Sequence, residues 1–413
     1  MPMAQRSSAR LPNRSICNRS DMSYLRDALV DRVGEFIQLR RDIHRYPELA
    51  FEEHRTSDLV AAKLEGWGYA VHRGLGGTGV VGTLTRGQGR RLGLRADMDA
   101  LPIQEATGAE WSSVKPGVMH ACGHDGHTAM LLAAAKSIAQ DASFTGTLNL
   151  IFQPAEEGLG GGRVMVEQGL FKLFPCDAIF ALHNMPGMPE GQFGFRAGAF
   201  MPSSDTVNIT VRGKGGHGSA PHLSADPVVA AAHIVVALQT VVSRNVDPRE
   251  MAVISVGAIH GGEAANVIPQ NVTMRLTVRA FNPEIRVMLK QRITDLVQSQ
   301  AQTMGVQADV DYDWRYPSLI NDEASTAFAK QVALDWLGDK GVMPNLAPLT
   351  GSEDFSFMLQ ECPGCYLIVG NGQGEHHHTG GCMVHNPGYD FNDAILPIAA
   401  SYWVKLVSAY LKA

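Results

Sequence analysis

The sequence predicts an α/β protein: a mixed-sheet α/β/α domain with a ferredoxin-like α+β domain inserted into it. Three observations predict it. Short apolar runs alternate with stretches of helical spacing, which implies a sheet that is at least partly parallel. Near residue 200 the order becomes strand–helix–strand–strand–helix–strand, the ferredoxin-like order. Finally, 45% of the 413 residues are hydrophobic and only 18% charged, which supplies a large core and excludes a disordered or fibrous chain.

Each element has its own warrant. Leu25, Leu29, Val33, Phe36, Ile37 and Ile43 recur at helical spacing, and Pro47 stops that helix. A second helix is expected from about Arg55 to Glu65, ending near Gly66. Strands follow at Gly79–Leu84 and Arg91–Arg95, a buried helix at Asp125–Gln140, and strands at Thr147–Phe152 and Ala178–Leu182. In the insert, Val207, Ile209 and Val211 alternate as a half-buried strand does. Asp226–Arg244 reads as an apolar helix, Ala252–Ile259 and Asn271–Ala280 as strands, Pro283–Met304 as a helix and Ala308–Trp314 as a strand. Helix Ala324–Leu337, strand Cys365–Val369 and a final amphipathic helix over about Asp393–Leu411 return to the first domain. The expected division is therefore an extension at 1–21, one domain from 22–199 and 315–413, and an insert at 200–314.

Charge and cysteine usage narrow the class. The net charge of −6 argues against a nucleic-acid binder, which usually shows a basic stripe. Residues 1–20 hold Arg6, Arg10, Arg14 and Arg19 and no acid. That segment lacks an apolar core, so it reads as a disordered extension, with a transit-type leader as the alternative. Six cysteines in this length do not make a disulfide scaffold. The most apolar run, Val228–Leu238, contains His233, so no membrane span is expected. These features together predict a soluble, cytoplasmic protein without nucleic-acid or membrane partners.

In open α/β sheets, ligands gather beyond the carboxyl ends of the strands. Three strands here run into chemistry-bearing residues: Asp97 and Asp99, Glu156 and Glu157, and His183. Between the first two lies the string His120-Ala121-Cys122-Gly123-His124-Asp125-Gly126-His127. Thiol, imidazole and carboxylate at such spacing suit Zn, Mn, Co or Ni. Adjacent glutamates rarely converge on one ion, so a division of labour is expected, one binding metal and the other free as a base. Cys362 and Cys365 flank a Pro-Gly turn and lack the second pair that a zinc site needs. The run His376–His378 reads as a polar loop, and His44 as structural.

These strings resemble the M20 metallopeptidase clan, and in particular its amidohydrolase branch of hippurate hydrolases, N-acyl-amino-acid deacylases and plant auxin-conjugate hydrolases. The resemblance is carried by RDIHRYPEL (41–49), RADMDALP (95–102), HACGHDGH (120–127), QPAEEG (153–158), GKGGHGSAPH (213–222), NVIP (266–269), GSEDF (351–355) and HNP (385–387). It implies a metallohydrolase domain with a lid and dimerisation domain at 200–314. It also implies two divalent ions, Mn, Zn, Co or Ni, held by Cys122, His124, Glu157, His183 and His385, with Cys122 bridging. Glu156 would be the general base, and Asp99 would orient a ligand. Aspartate at position 97, where peptidase relatives keep a ligand histidine, marks the amidohydrolase branch. His217 would stabilise the carbonyl oxygen, commonly in the partner's site. Asn266 and Arg279 would bind the substrate carboxylate, and Gly351 and Ser352 would offer backbone donors. The implied reaction is metal-dependent cleavage of N-acyl amino acids, hippurate-like or N-acetyl, by a homodimer joined through the lid or a tetramer built from it. A dipeptidase or carboxypeptidase of the same clan, or a non-catalytic metal- or ligand-binding relative, is the alternative.

The composition also holds 43 glycines, about 10% against an average near 7%. Many flank these strings, so they are expected to supply tight turns around the site.

Overall fold

The computed structural model describes residue 29 and residues 33–412, except 142, 345 and 375–380. The expected extension at 1–21, the start of the first helix and the His376–His378 loop lie outside the described residues.

Strand Arg91–Asp97 is buried on both sides from Leu92 onward, with Leu92 and Leu94 fully buried. Such continuous burial is what a strand inside a parallel sheet requires. It sits in a seven-stranded sheet ordered Ala70–Leu75, Gly79–Arg86, Gly146–Gln153, Arg91–Asp97, Ala178–Pro186, Gly364–Gly372 and Phe193–Gly194. The four strands from Gly146–Gln153 to Gly364–Gly372 run parallel. The flanking strands are antiparallel. One face packs Leu94, Leu131, Phe180 and Trp403 under helices Gly34–Arg45, His124–Asp141 and Leu396–Tyr410. The other packs Ile151, Ile179, Phe355 and Tyr366. Those layers bring the carboxyl ends of four parallel strands to one edge.

Two strands outrun the expected ends. Parallel pairing continues through Asp97 opposite Gln153 and through His183 opposite Ile368. Asp97 and His183 therefore project from ordered strand rather than from loop. The edge strand Ala70–Leu75 and the helices Gly161–Glu167 and Phe355–Glu361 are additions to the expected list. The first is largely exposed and shows no alternation for a sequence pattern to catch.

The insert has its own antiparallel sheet, ordered Ala252–His260, Asn271–Ala280, Ser204–Arg212 and Gln307–Tyr316. Ser204–Arg212 alternates between a buried and a more exposed face. Helices Pro227–Asn245 and Pro283–Thr303 cover the buried face and share a core with Val207, Ile209, Leu276 and Val278. Both begin with proline behind an acceptor: Asp226 takes the Val228 and Val229 amides, and Asn282 takes that of Glu284. By length and composition alone, Pro227–Asn245 could cross a membrane. Its Ala230, Ile234, Leu238 and Val241 pack into the insert's core instead, while Val229 and Val236 are exposed. Ser204 pairs with Tyr316, and Gly198–Met201 pairs with Leu319–Asn321 just below. The chain thus enters and leaves the insert side by side.

Candidate metal centre and substrate cavity

Gly123 separates Cys122 from His124, the first residue of helix His124–Asp141. Its φ is 98°, and a Cβ there would collide with Asn184 Oδ1 and the Tyr389 hydroxyl. Glycine is what lets the thiol and the imidazole turn toward the same point.

Cys122 Sγ lies 3.3 Å from His183 Nε2, and His385 Nε2 lies 3.1 Å from Glu157 Oε1. The donor atoms of Cys122, His124 and His183 fall within 4.8 Å of one another, as do those of Cys122, Glu157 and His385. The two triads share the thiol. His124 Nε2 is buried without a hydrogen-bond partner, an orphan of the kind a cation satisfies. His385 has a positive φ of 64°, an uncommon backbone for a non-glycine residue that the surroundings must enforce.

The donors are held from behind. Asp99 Oδ1 lies 3.1 Å from His124 Nδ1, and Asp99 Oδ2 accepts the Glu157 amide at 2.9 Å. His183 Nδ1 is 2.6 Å from the Asn184 carbonyl oxygen, which fixes the tautomer that leaves Nε2 facing the cluster. Burial, with the charge of His127, holds His183 well below the usual imidazole range, so it is a neutral donor. Hydrogen bonds with Cys122 and Glu157 push His385 up to about 10. A cation at the cluster would displace that proton.

Glu156 points into the cluster from the strand end after Gln153. Its donor oxygen lies within 4.8 Å of those of Glu353 and Asp354. Burial and the charges of Glu353, Glu157 and Asp354 raise its carboxyl well above the ordinary range. Arg95 offsets part of that negative charge. It bonds Asp97 at 2.7 Å, Glu353 at 2.9 Å and Asp354 at 3.1 Å, and all four residues are nearly or fully buried.

A cavity of about 560 Å³ opens over the cluster, lined by Cys122, Glu156, Glu157, His183 and His385. Arg279, Gly351 and Ser352 share its wall, while Met185, Met201, Leu349 and Ile368 make it largely apolar. Arg279 Nη1 is buried with no hydrogen-bond partner. A half-buried guanidinium with a buried, unpaired nitrogen fits an anion such as a carboxylate.

With that geometry in place, comparison with known proteins decides the family. The profile of Peptidase family M20/M25/M40 matches residues 93–409. The chain belongs to this family. It is 45% identical over 385 residues to the hippurate hydrolase of Campylobacter jejuni, covering 93% of this chain and 98% of that one. It is 40% identical over 380 residues to IAA-amino acid hydrolase ILR1-like 4 of Arabidopsis thaliana, covering 91% and 85%. Its fold superposes with a TM-score of 0.78 on a Bacillus subtilis dinuclear metal binding peptidase from the M20 family, at 32% identity over 92% of this chain and 98% of that one. The chain is an M20 hydrolase that acts on amide bonds.

Two expected site residues of this M20 chain stand apart. His217 lies on a two-residue ladder with Val267, is exposed, and accepts the Ser219 amide at Nδ1 at 3.1 Å. Asn266 is exposed beside it. Neither lines the cavity. Conversely, the sequence reading passed over Arg95, Glu353, Asp354, Arg315 and Tyr316. Arg315 and Tyr316 line the cavity, and the Tyr316 hydroxyl donates to the Glu156 carbonyl at 2.6 Å. The GSEDF string is the sequence signal for Glu353 and Asp354, two acids directly after Gly351 and Ser352. His127 sits between Asp97 at 2.6 Å and Asn184 at 2.7 Å, an orienting position rather than an open one.

Proposed function

We propose that this chain hydrolyses the amide bond of N-acyl amino acids, hippurate-like or N-acetyl, to a carboxylic acid and a free amino acid. The observation that carries the reading is the unpaired Arg279 Nη1 on a residue lining the same cavity as Glu156 and the thiol–imidazole–carboxylate cluster. One end of the cavity would hold the amino acid's carboxylate, and the apolar wall would take the acyl group.

The donor set fits two divalent ions, Mn, Zn, Co or Ni. Cys122, His124, Glu157, His183 and His385 would hold them, with the Cys122 thiolate common to both. When bound, such ions supply Lewis acidity toward water and the amide carbonyl. Glu156 takes the attacking water's proton at its carboxylate and returns it to the leaving nitrogen. Arg279 orients the substrate through its carboxylate. Asp99 keeps His124 and the Glu157 backbone in place.

The partner is a second copy joined through the insert. Support comes from the exposed His217 and Asn266, neither of which lines its own chain's cavity, and from the exposed Val229, Val236 and Ile259. His217 would then complete the other subunit's site by donating to the carbonyl oxygen.

The test is release of free amino acid from hippurate, N-acetyl amino acids and dipeptides, with and without chelator. Chelator-sensitive hydrolysis of acyl amino acids is expected. Chelator-insensitive turnover, or none with any acyl amino acid, sinks the reading, and preference for dipeptides moves it to a peptidase.

A further inference from the structure

We propose that Glu53 is a positioning residue of the hydrolytic site, setting Glu156 and Glu157 through the backbone of Ala155. The inference rests on the roles given above to those two glutamates.

Glu53 is fully buried, and its partners are unusual. Oε1 accepts the Phe51 amide at 3.0 Å and the Ala155 amide at 2.9 Å. Oε2 accepts the Thr78 hydroxyl at 2.5 Å. Among the described residues three non-glycines have positive φ: Phe51 at 65°, Ala155 at 54° and His385. One carboxylate therefore grips the amides of two of them. L-residues avoid this conformation and keep it only where neighbours over-determine it.

A local explanation fails. Glu53 occupies the residue before helix His54–Gly66 but makes no side-chain cap bond there. Glu48 does that work, accepting the Arg55 and Thr56 amides at 2.9 Å each. The Glu53 carboxylate is directed instead at a loop 102 residues away. That loop has little slack. The Gly161 amide donates to the Ala155 carbonyl at 2.9 Å, and a Cβ on Gly161 would overlap the Pro154 carbonyl. Fixing the left-handed turn at Ala155 fixes the direction in which the next two carboxylates leave the strand.

The test uses full-length, metal-loaded Glu53→Ala, Glu53→Gln and the double variant Glu53→Ala/Ala155→Gly. Misplacing a base by about 1 Å costs on the order of 10²-fold. Glu53→Ala should therefore lower kcat by about that factor while KM stays within roughly threefold. Its metal affinity, read by chelator competition, should fall as well, because Glu157 moves with Glu156. Glu53→Gln keeps an oxygen for both amides and should recover to within about tenfold of wild type. Glycine adopts positive φ freely, so the double variant should regain about tenfold over Glu53→Ala. Wild-type kcat and metal affinity in Glu53→Ala overturn the proposal, as does an inactive Glu53→Gln together with no gain from Ala155→Gly. Should Glu53→Ala fail to fold, Thr78→Val removes only the Oε2 contact, and an unchanged kcat and metal affinity in that variant overturn it too. Loss of metal affinity without any amidohydrolase activity in the wild type would uphold the positioning role and refute the function reading instead.

Discussion

The strand-end cluster and the insert's short ladder at His217 are built in opposite ways. At the cluster, Cys122, His124, Glu156, Glu157 and His183 are buried or half-buried, and Asp99 and the Asn184 carbonyl hold His124, Glu157 and His183 from behind, while His385 alone of the donors is exposed, on a loop bonded to Ala121. At the ladder, which is two residues long, His217 and the neighbouring Asn266 are exposed. The difference teaches where preorganisation is concentrated. Groups that must hold charge at fixed separation are placed in the rigid sheet. A group that only has to arrive once substrate is present can stand on a short ribbon.

The largest expected effect tests the rigid side. Glu156→Gln should lower kcat by about 10³-fold, within the range for losing a general base, with the metal content measured by elemental analysis unchanged. Full activity would remove Glu156 from its role and leave the cluster a binding site only. The second test addresses the ladder at His217. Inactive His217→Ala and inactive Glu156→Ala chains, mixed and allowed to exchange subunits, should regain about a quarter of wild-type activity, because half the dimers are mixed and each holds one intact site. No recovery, with exchange verified, would place His217's action within one chain.

The smallest effect concerns stability. His44 lies 2.8 Å from Asp125 and 3.3 Å from Glu105. Burial alone would lower its pKa, but Asp125 and the hydrogen bonds to Asp125 and Glu105 raise it from 6.5 to about 9. The folded value exceeds the unfolded one, so the stabilisation is fully present below pH 6.5 and disappears as pH rises through 9. Its full size is on the order of 3 kcal/mol. The thermal midpoint of the metal-loaded enzyme should therefore fall by several degrees between pH 6.5 and 9. His44→Gln should lower the midpoint at pH 6.5 and flatten that slope. A slope identical to wild type would show that the His44–Asp125 pair does not carry the dependence.

Much of this was legible in the sequence, for identifiable reasons. Strands and helices of the parallel core are long apolar runs, and the insert's strands alternate cleanly, so their order could be read. The donors Cys122, His124, Glu156 and Glu157 stand in short strings that local spacing exposes. What stayed hidden depends on three-dimensional adjacency. Arg95 acquires meaning only when Glu353, 258 residues away, is packed against it. The role of Ala155 lies in the sign of a backbone angle, which no residue name records. Arg279 could be tied to a carboxylate by resemblance alone, and its unpaired Nη1 became visible only once the fold had buried it.

The paired crossings of the insert carry a mechanical consequence. Two hydrogen-bonded strands pass together from one domain to the other, with Ser204 opposite Tyr316 and Met201 opposite Leu319. A single crossing would act as a swivel, whereas a double-stranded strap resists twisting and prefers to bend about one axis. Ala280 is stitched to that strap, its carbonyl accepting the Ser203 amide at 2.8 Å and the Ser318 hydroxyl at 2.9 Å, so Arg279 stands at the fulcrum. His217 stands beyond Arg212, at the far end of a strand roughly 27 Å long. Any tilt at the strap would therefore displace the imidazole farther than the guanidinium.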